Sequence, residues 1–139
     1  MKKTRLVEIL LLALALIFLI GEFTILGACG PRADGTYMNC HHAEIALKWL
    51  SGGMVLCALA AALFVNHKTI KVISSCLILI LGLVAAIIPQ NVIHLCAMTT
   101  MHCHAVMRPA AIVLSVCIML LAMIELLVIL LSKNRVKRA

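Results

Sequence analysis

Charge is scarce in this chain, and acidic charge scarcest: five Asp and Glu stand against twelve Lys and Arg in 139 residues. Aromatics are nearly missing, with one Trp, one Tyr and three Phe, and there are three prolines. No Cys-x-x-Cys occurs, which removes the usual dithiol redox pair, and no spacing of Cys and His fits a standard zinc motif. The Cys-x-x-Cys-His of covalent haem attachment is absent too. No Ser-His-Asp set, phosphate loop or paired-carboxylate arrangement can be defended. Low-complexity tracts are also lacking. The net charge of +7 comes without an aromatic-basic surface, so it does not indicate nucleic acid.

What is present is apolar bulk. Hydrophobic residues make up 65% of the chain, where a soluble domain is nearer half apolar. Four segments are long enough to cross a bilayer as helices, from about Leu6 to Ala28, Ile45 to Val65, Ile70 to Pro89 and Val106 to Leu131. Backbone groups in lipid must pair within their own segment, and the alternation of a barrel strand is missing, so the spans are helical. The expected fold is all-α: one integral membrane four-helix bundle over residues 1–139. Residues 29–44 and 90–105 form two loops on one side, and residues 66–69 form a short break on the other.

The basic residues fix the expected orientation. Lys2, Lys3 and Arg5 precede the first span, Lys68 and Lys71 flank the break, and Lys133, Arg135, Lys137 and Arg138 follow the last span. With four spans all three clusters share a side, which the positive-inside rule makes cytoplasmic, together with both termini. Anionic lipid heads suit the same residues. Leu26-Gly27-Ala28-Cys29 resembles a lipoprotein cleavage box. The apolar stretch before it is long for a signal peptide and is interrupted by Glu22, so the span is read as retained.

The two loops on the far side carry a repeated motif. Met38-Asn39-Cys40-His41 and Met101-His102-Cys103-His104 both read Met-x-Cys-His, each with a cysteine upstream, Cys29 and Cys96. Each half is helix, loop, helix, so the halves read as a parallel pseudo-repeat related about the membrane normal. Three roles are open for the motif. Cys29, Cys40, Cys96 and Cys103 face an oxidising compartment and can form structural disulfides in any of three pairings. Thiol–disulfide exchange is the second role: the plan resembles that of the DsbB-type quinone-linked oxidoreductases, although their Cys-x-x-Cys is missing, and a neighbouring His41, His104 or Arg108 would activate a thiol. Soft-metal binding is the third, with Met38, Cys40, His41, Met101, Cys103 and His104 as the core set and His42, Cys96, Met98 and His102 beside it. Thioether and thiolate favour Cu(I), and two facing histidines suit haem. Copper, haem and quinone are therefore the cofactors to weigh, with none equally open.

Cys57, Cys76 and Cys117 lie within spans, where small, weakly polar residues serve helix packing. Gly52, Gly53, Ala58, Ala60, Ala61 and Ala62 give the second span a small-residue face. Ionisable groups near the far side of the membrane are costly to bury. Glu22, Glu44, Lys48 and Arg108 form a candidate polar pocket beneath the loops, with Glu44 and Lys48 spaced for an i, i+4 pair. Glu125 is placed nearer the other end, beside the basic residues there.

The order Met38, Cys40, His41, Ala43, Glu44, then Pro89, then Cys96-Ala-Met, Met101, Cys103 and Pro109, resembles the small bacterial membrane proteins grouped as domain of unknown function 4418. The resemblance covers nearly the whole chain. It implies a multi-pass protein of the bacterial cytoplasmic membrane with no assigned activity. It also implies an accessory role beside an ABC transporter, since some members are encoded next to the genes of such transporters. His102 and His104 exceed the family's second-half pattern, so a metal role built on them does not follow from it.

Overall fold

The computed structural model describes the backbone of residues 2–26, 33–36, 39–64, 66–88 and 103–138, and the side chains of 5–26, 33–36, 41–64, 66–88 and 105–132. Four long helices dominate: α1 (Lys2–Thr24), α2 (Asn39–Leu63), α3 (Lys68–Ile87) and α4 (Arg108–Arg138). All four are long and apolar enough to cross a membrane. They pack as a ring, α1 on α2, α2 on α3, α3 on α4 and α4 back on α1. The chain runs up, down, up and down, so Thr24, Asn39, Ile87 and Arg108 gather at one end of the bundle, called here the motif end. Lys2, Leu63, Lys68 and Arg138 gather at the other, the basic end.

The buried positions explain why these helices associate. On α1 they are Glu8, Leu11, Ala15, Phe18 and Glu22, and on α3 they are Lys71, Ser74, Ser75, Ile78, Gly82 and Ala85. On α2 they are Ala43, Glu44, Leu47, Ser51, Met54, Ala58 and Ala61, and on α4 Ala111, Ser115, Ile118, Ala122, Glu125 and Ile129. Steps of three and four residues repeat along every helix, the spacing that lines one buried stripe of an antiparallel bundle. Phe18, Met54, Ile78 and Ile118 are fully buried and fill the middle of the seam.

The outer surface is the reverse of a soluble protein's. Leu6, Ile9, Ile17, Leu56, Leu63, Ile80, Leu83, Val113, Leu120 and Leu127 all stand exposed, on every helix. Inside, Glu8, Glu22, Glu44 and Glu125 are all buried, which accounts for four of the five acidic residues in the chain. Apolar surface of this extent belongs in contact with lipid rather than water. The chain is a small multi-pass membrane protein.

Three local features set the ends of the helices. α1 closes on Gly21, whose carbonyl accepts both Ile25 N (3.0 Å) and Leu26 N (2.8 Å). This wraps the chain back so that Leu26 buries its side chain 3.4 Å from where a Cβ on Gly21 would stand. α2 starts at Asn39, so Cys40 to Glu44, which hydropathy alone leaves in a loop, belong to the helix. Hydropathy reports the lipid-crossing stretch, whereas the backbone ladder extends beyond it into polar sequence. A π-helical turn, Cys103–Met107, leads into α4. Pro109 is the second residue of α4, and a proline cannot donate to the carbonyl one turn back and crowds it. The wider π turn lies in the segment that the proline disturbs.

Candidate functional site

Of the candidate pocket residues, the fold brings three together at the motif end. Lys48 Nζ donates to Glu44 Oε1 at 2.5 Å, one helical turn apart on α2. His41 Nδ1 lies 3.7 Å from Glu44 Oε2, so the carboxylate is held between a cation and an imidazole. The Lys48 ammonium also sits 4.8 Å from the centroid of the Phe23 ring on α1, a cation–π contact across the helix pair. Glu22 enters from α1, next to Phe23, and the charges it faces are Glu44 and Lys48. It is fully buried, and neither carboxylate oxygen has a hydrogen-bond partner. Arg108, half-buried on α4, makes no ion pair among the described residues and does not join the nest.

A second nest, at the basic end, is less visible in the sequence. Lys71 of α3 and Glu8 of α1 form a buried ion pair and hydrogen bond across the bundle. Beside them Ser75 Oγ donates to Glu125 Oε2 at 3.0 Å, which ties α3 to α4. Glu125 is fully buried, its Oε1 has no partner, and Glu8 and Lys71 are the charges it faces. Lys71, grouped by position with the basic residues of the α2–α3 break, therefore lies inside the bundle. Glu125 finds a serine and a shared lysine rather than a terminal basic residue. The signal for Glu8 was its heptad step to Leu11, Ala15, Phe18 and Glu22; the Ser75–Glu125 contact depends on the register of α3 against α4, which no periodicity gives.

Between the nests the seam holds two more buried hydroxyls. Ser51 Oγ donates to the carbonyl of Lys48 at 3.0 Å, within its own helix. Ser115 Oγ has no partner. α3 approaches α4 closely near it: a Cβ on Gly82 would stand 2.8 Å from Met119 Cγ and 3.7 Å from the Ser115 carbonyl.

The repeated motif is only partly placed. Cys29, Met38, Cys96 and Met101 lie outside the described residues. Cys40 falls in the first turn of α2 and Cys103 and His104 in the π turn before α4, with their side chains outside the described set. His41 is described, and its ring meets that of His42 edge-on, with centroids 6.4 Å apart. Among the described residues no three His, Cys, Asp or Glu side chains converge as metal ligands would. The described cysteines, Cys57, Cys76 and Cys117, are free thiols within the spans.

The family model described as Domain of unknown function (DUF4418) matches residues 11–128. The chain belongs to this family. The match begins within α1 and ends within α4, so the family unit is the four-helix bundle itself. Its bounds take in Glu22, Glu44, Lys48, Lys71, Ser75 and Glu125, and leave Glu8 and the basic terminal segments outside. No curated protein and no solved structure matches the chain.

Proposed function

We propose that this protein is a non-enzymatic accessory subunit of the bacterial cytoplasmic membrane, with a disulfide-tied Cys/His cap on the extracytoplasmic side that supports a membrane partner. The carrying observation is topological. A bundle that runs up, down, up and down brings the first turn of α2, with Cys40, and the turn before α4, with Cys103 and His104, to one end, and the helix ends next to the Lys/Arg clusters to the other. Positive segments stay in the cytoplasm, so the motif end meets the oxidising side, where cysteine bridges persist. The partner implied by the family resemblance is an ABC transporter. In this reading Cys29, Cys40, Cys96 and Cys103 form two bridges that clasp the entries of α2 and α4.

The test is mass-spectrometric mapping of those four cysteines in protein purified from membranes without reductant, with bound metal and haem counted on the same sample. Stable bridges in stoichiometric yield, without metal, are the expected result. Free thiols accompanied by copper or haem would replace this reading by metal handling through Met38, Cys40, His41, Met101, Cys103 and His104. Mixed disulfides trapped in Cys40→Ala or Cys103→Ala, with quinone-dependent reoxidation, would replace it by DsbB-like exchange. Affinity purification from the native membrane checks the partner: an ABC transporter recovered in fixed ratio is expected, and its absence ends that part of the proposal.

A further inference from the structure

The two nests have the same charge plan. At the motif end Lys48 pairs with Glu44, and Glu22 stands beside them with both oxygens unbonded. At the basic end Lys71 pairs with Glu8, and Glu125 stands beside them with Oε1 unbonded. Each nest thus sets two carboxyl groups against one ammonium, and the motif-end nest adds the His41 ring beside Glu44. Glu22 and Glu125 are each fully buried, so water does not supply what the protein withholds. Buried ionisable groups in a membrane are retained for a task rather than for packing. Isolated buried charge is among the least favourable arrangements a protein can hold.

We propose that each nest is a binding site for one monovalent cation, with Glu22 and Glu125 as the receiving carboxyl groups. The class of ligand follows from the count and the space. One further positive charge balances two carboxylates and a lysine, whereas a divalent ion overshoots by one. A soft metal would need converging sulfur or imidazole ligands, and among the described residues no three His, Cys, Asp or Glu side chains converge. Both receiving groups are fully buried, so the occupant has to be small: a proton or a bare alkali ion, since an organic ammonium would need a cavity of its own. The other groups near the motif-end site are His41, engaged with Glu44, and Arg108 on α4; around Glu125 they are Glu8, Lys71 and Ser75. The sites lie at opposite ends of the seam, Glu8 and Glu22 being about 21 Å apart along α1 at 1.5 Å per residue. Phe18, Met54, Ile78 and Ile118 lie between them, together with the hydroxyls of Ser51 and Ser115. Two like sites at opposite ends of one buried seam is an arrangement for loading a small cation from either face.

The experiment uses the full-length protein in detergent. Thermal unfolding is followed at one pH and one ionic strength in choline chloride, sodium chloride and potassium chloride. In parallel, infrared spectra record whether buried carboxyl groups absorb as neutral acids or as carboxylates. If an alkali ion is the occupant, Na+ or K+ raises the midpoint above the choline control, and Glu22→Gln and Glu125→Gln each remove part of that rise. If the proton is the occupant, the salts do not differ, and the neutral-acid band loses one component in Glu22→Gln and another in Glu125→Gln. The proposal is overturned if the three salts give one midpoint while wild type has no neutral-acid band. It is overturned equally if an alkali effect or acid band survives both substitutions unchanged. The salt series and the spectrum are read on wild type, so a variant that does not fold leaves the wild-type test intact. Neither readout depends on the cap cysteines, so failure here leaves the accessory reading standing.

Discussion

Lys71 and Glu8 show at single-residue resolution how this interior is held. Each is buried, and they lie sixty-three positions apart in the chain, so their pairing locks α1 against α3 across the ring. Removing one partner of such a pair strands the other, at about 3–5 kcal/mol, whereas replacing both with apolar residues is often neutral. Lys71→Met should therefore lower the unfolding midpoint more than Glu8→Gln, because it also takes away the one ammonium that Glu125 faces. The double variant Glu8→Leu with Lys71→Met should recover part of the loss, and a double loss equal to the sum of the singles would show that the pair does not couple. The two serines offer a sharper contrast. Ser75 supplies the hydrogen bond that Glu125 receives, and Ser51 bonds within its own helix. Ser75→Ala should then destabilise by about 1–3 kcal/mol, the range for orphaning a buried acceptor. Ser51→Ala should leave the midpoint close to wild type in the same thermal series, and equal effects would refute this ranking.

At the scale of the helix, close packing depends on where side chains are withheld. Gly82 faces Met119 so closely that an added Cβ would stand 2.8 Å from Met119 Cγ. Gly82→Ala should push α3 from α4 and lower stability by about 1–3 kcal/mol, the range for overpacking. Met119→Ala in the same chain should return most of that loss. Unfolding midpoints of the four variants of this cycle check it, and an additive cycle would place the strain elsewhere. The same scale separates what the sequence discloses from what it conceals. Four apolar runs bounded by Lys2–Arg5, Asn66–Lys68 and Lys133–Arg138 are readable as spans because lipid demands length and low charge. The pairing of Glu44 with Lys48 is readable because a helix places i and i+4 together. Glu8 with Lys71, and Ser75 with Glu125, are not, since each joins two helices and requires their relative register. Glu22 was legible as a buried charge near the pocket, and its lack of any donor was not, because that depends on what every neighbour does with its own hydrogens.

The whole molecule is ordered by one asymmetry, apolar outside and ionisable inside, with a polarity along its axis. Lys71 is paired to Glu8 within the bundle, so its charge is largely spent there and adds little to the field that orients the protein. The remaining Lys2, Lys3, Arg5, Lys68, Lys133, Arg135, Lys137 and Arg138 still belong to the segments that the helix order brings to one end. Eight cations on one side against none of the chain's acids on that side outside the bundle is a strong bias, since translocating such segments opposes the positive-inside preference. The segment around Gly35, where the backbone turns with φ of 76°, lies between the C-terminus of α1 and the N-terminus of α2, both at the motif end, and carries Asp34. A phosphatase that is active only outside the cytoplasm should therefore work when fused after Gly35 and fail when fused after His67. A cytoplasm-dependent fluorescent reporter should give the reverse pattern, with full signal after Ala139. Activity after His67 and none after Gly35 would invert the molecule, place the cap cysteines in a reducing compartment, and remove the physical basis for a disulfide clasp.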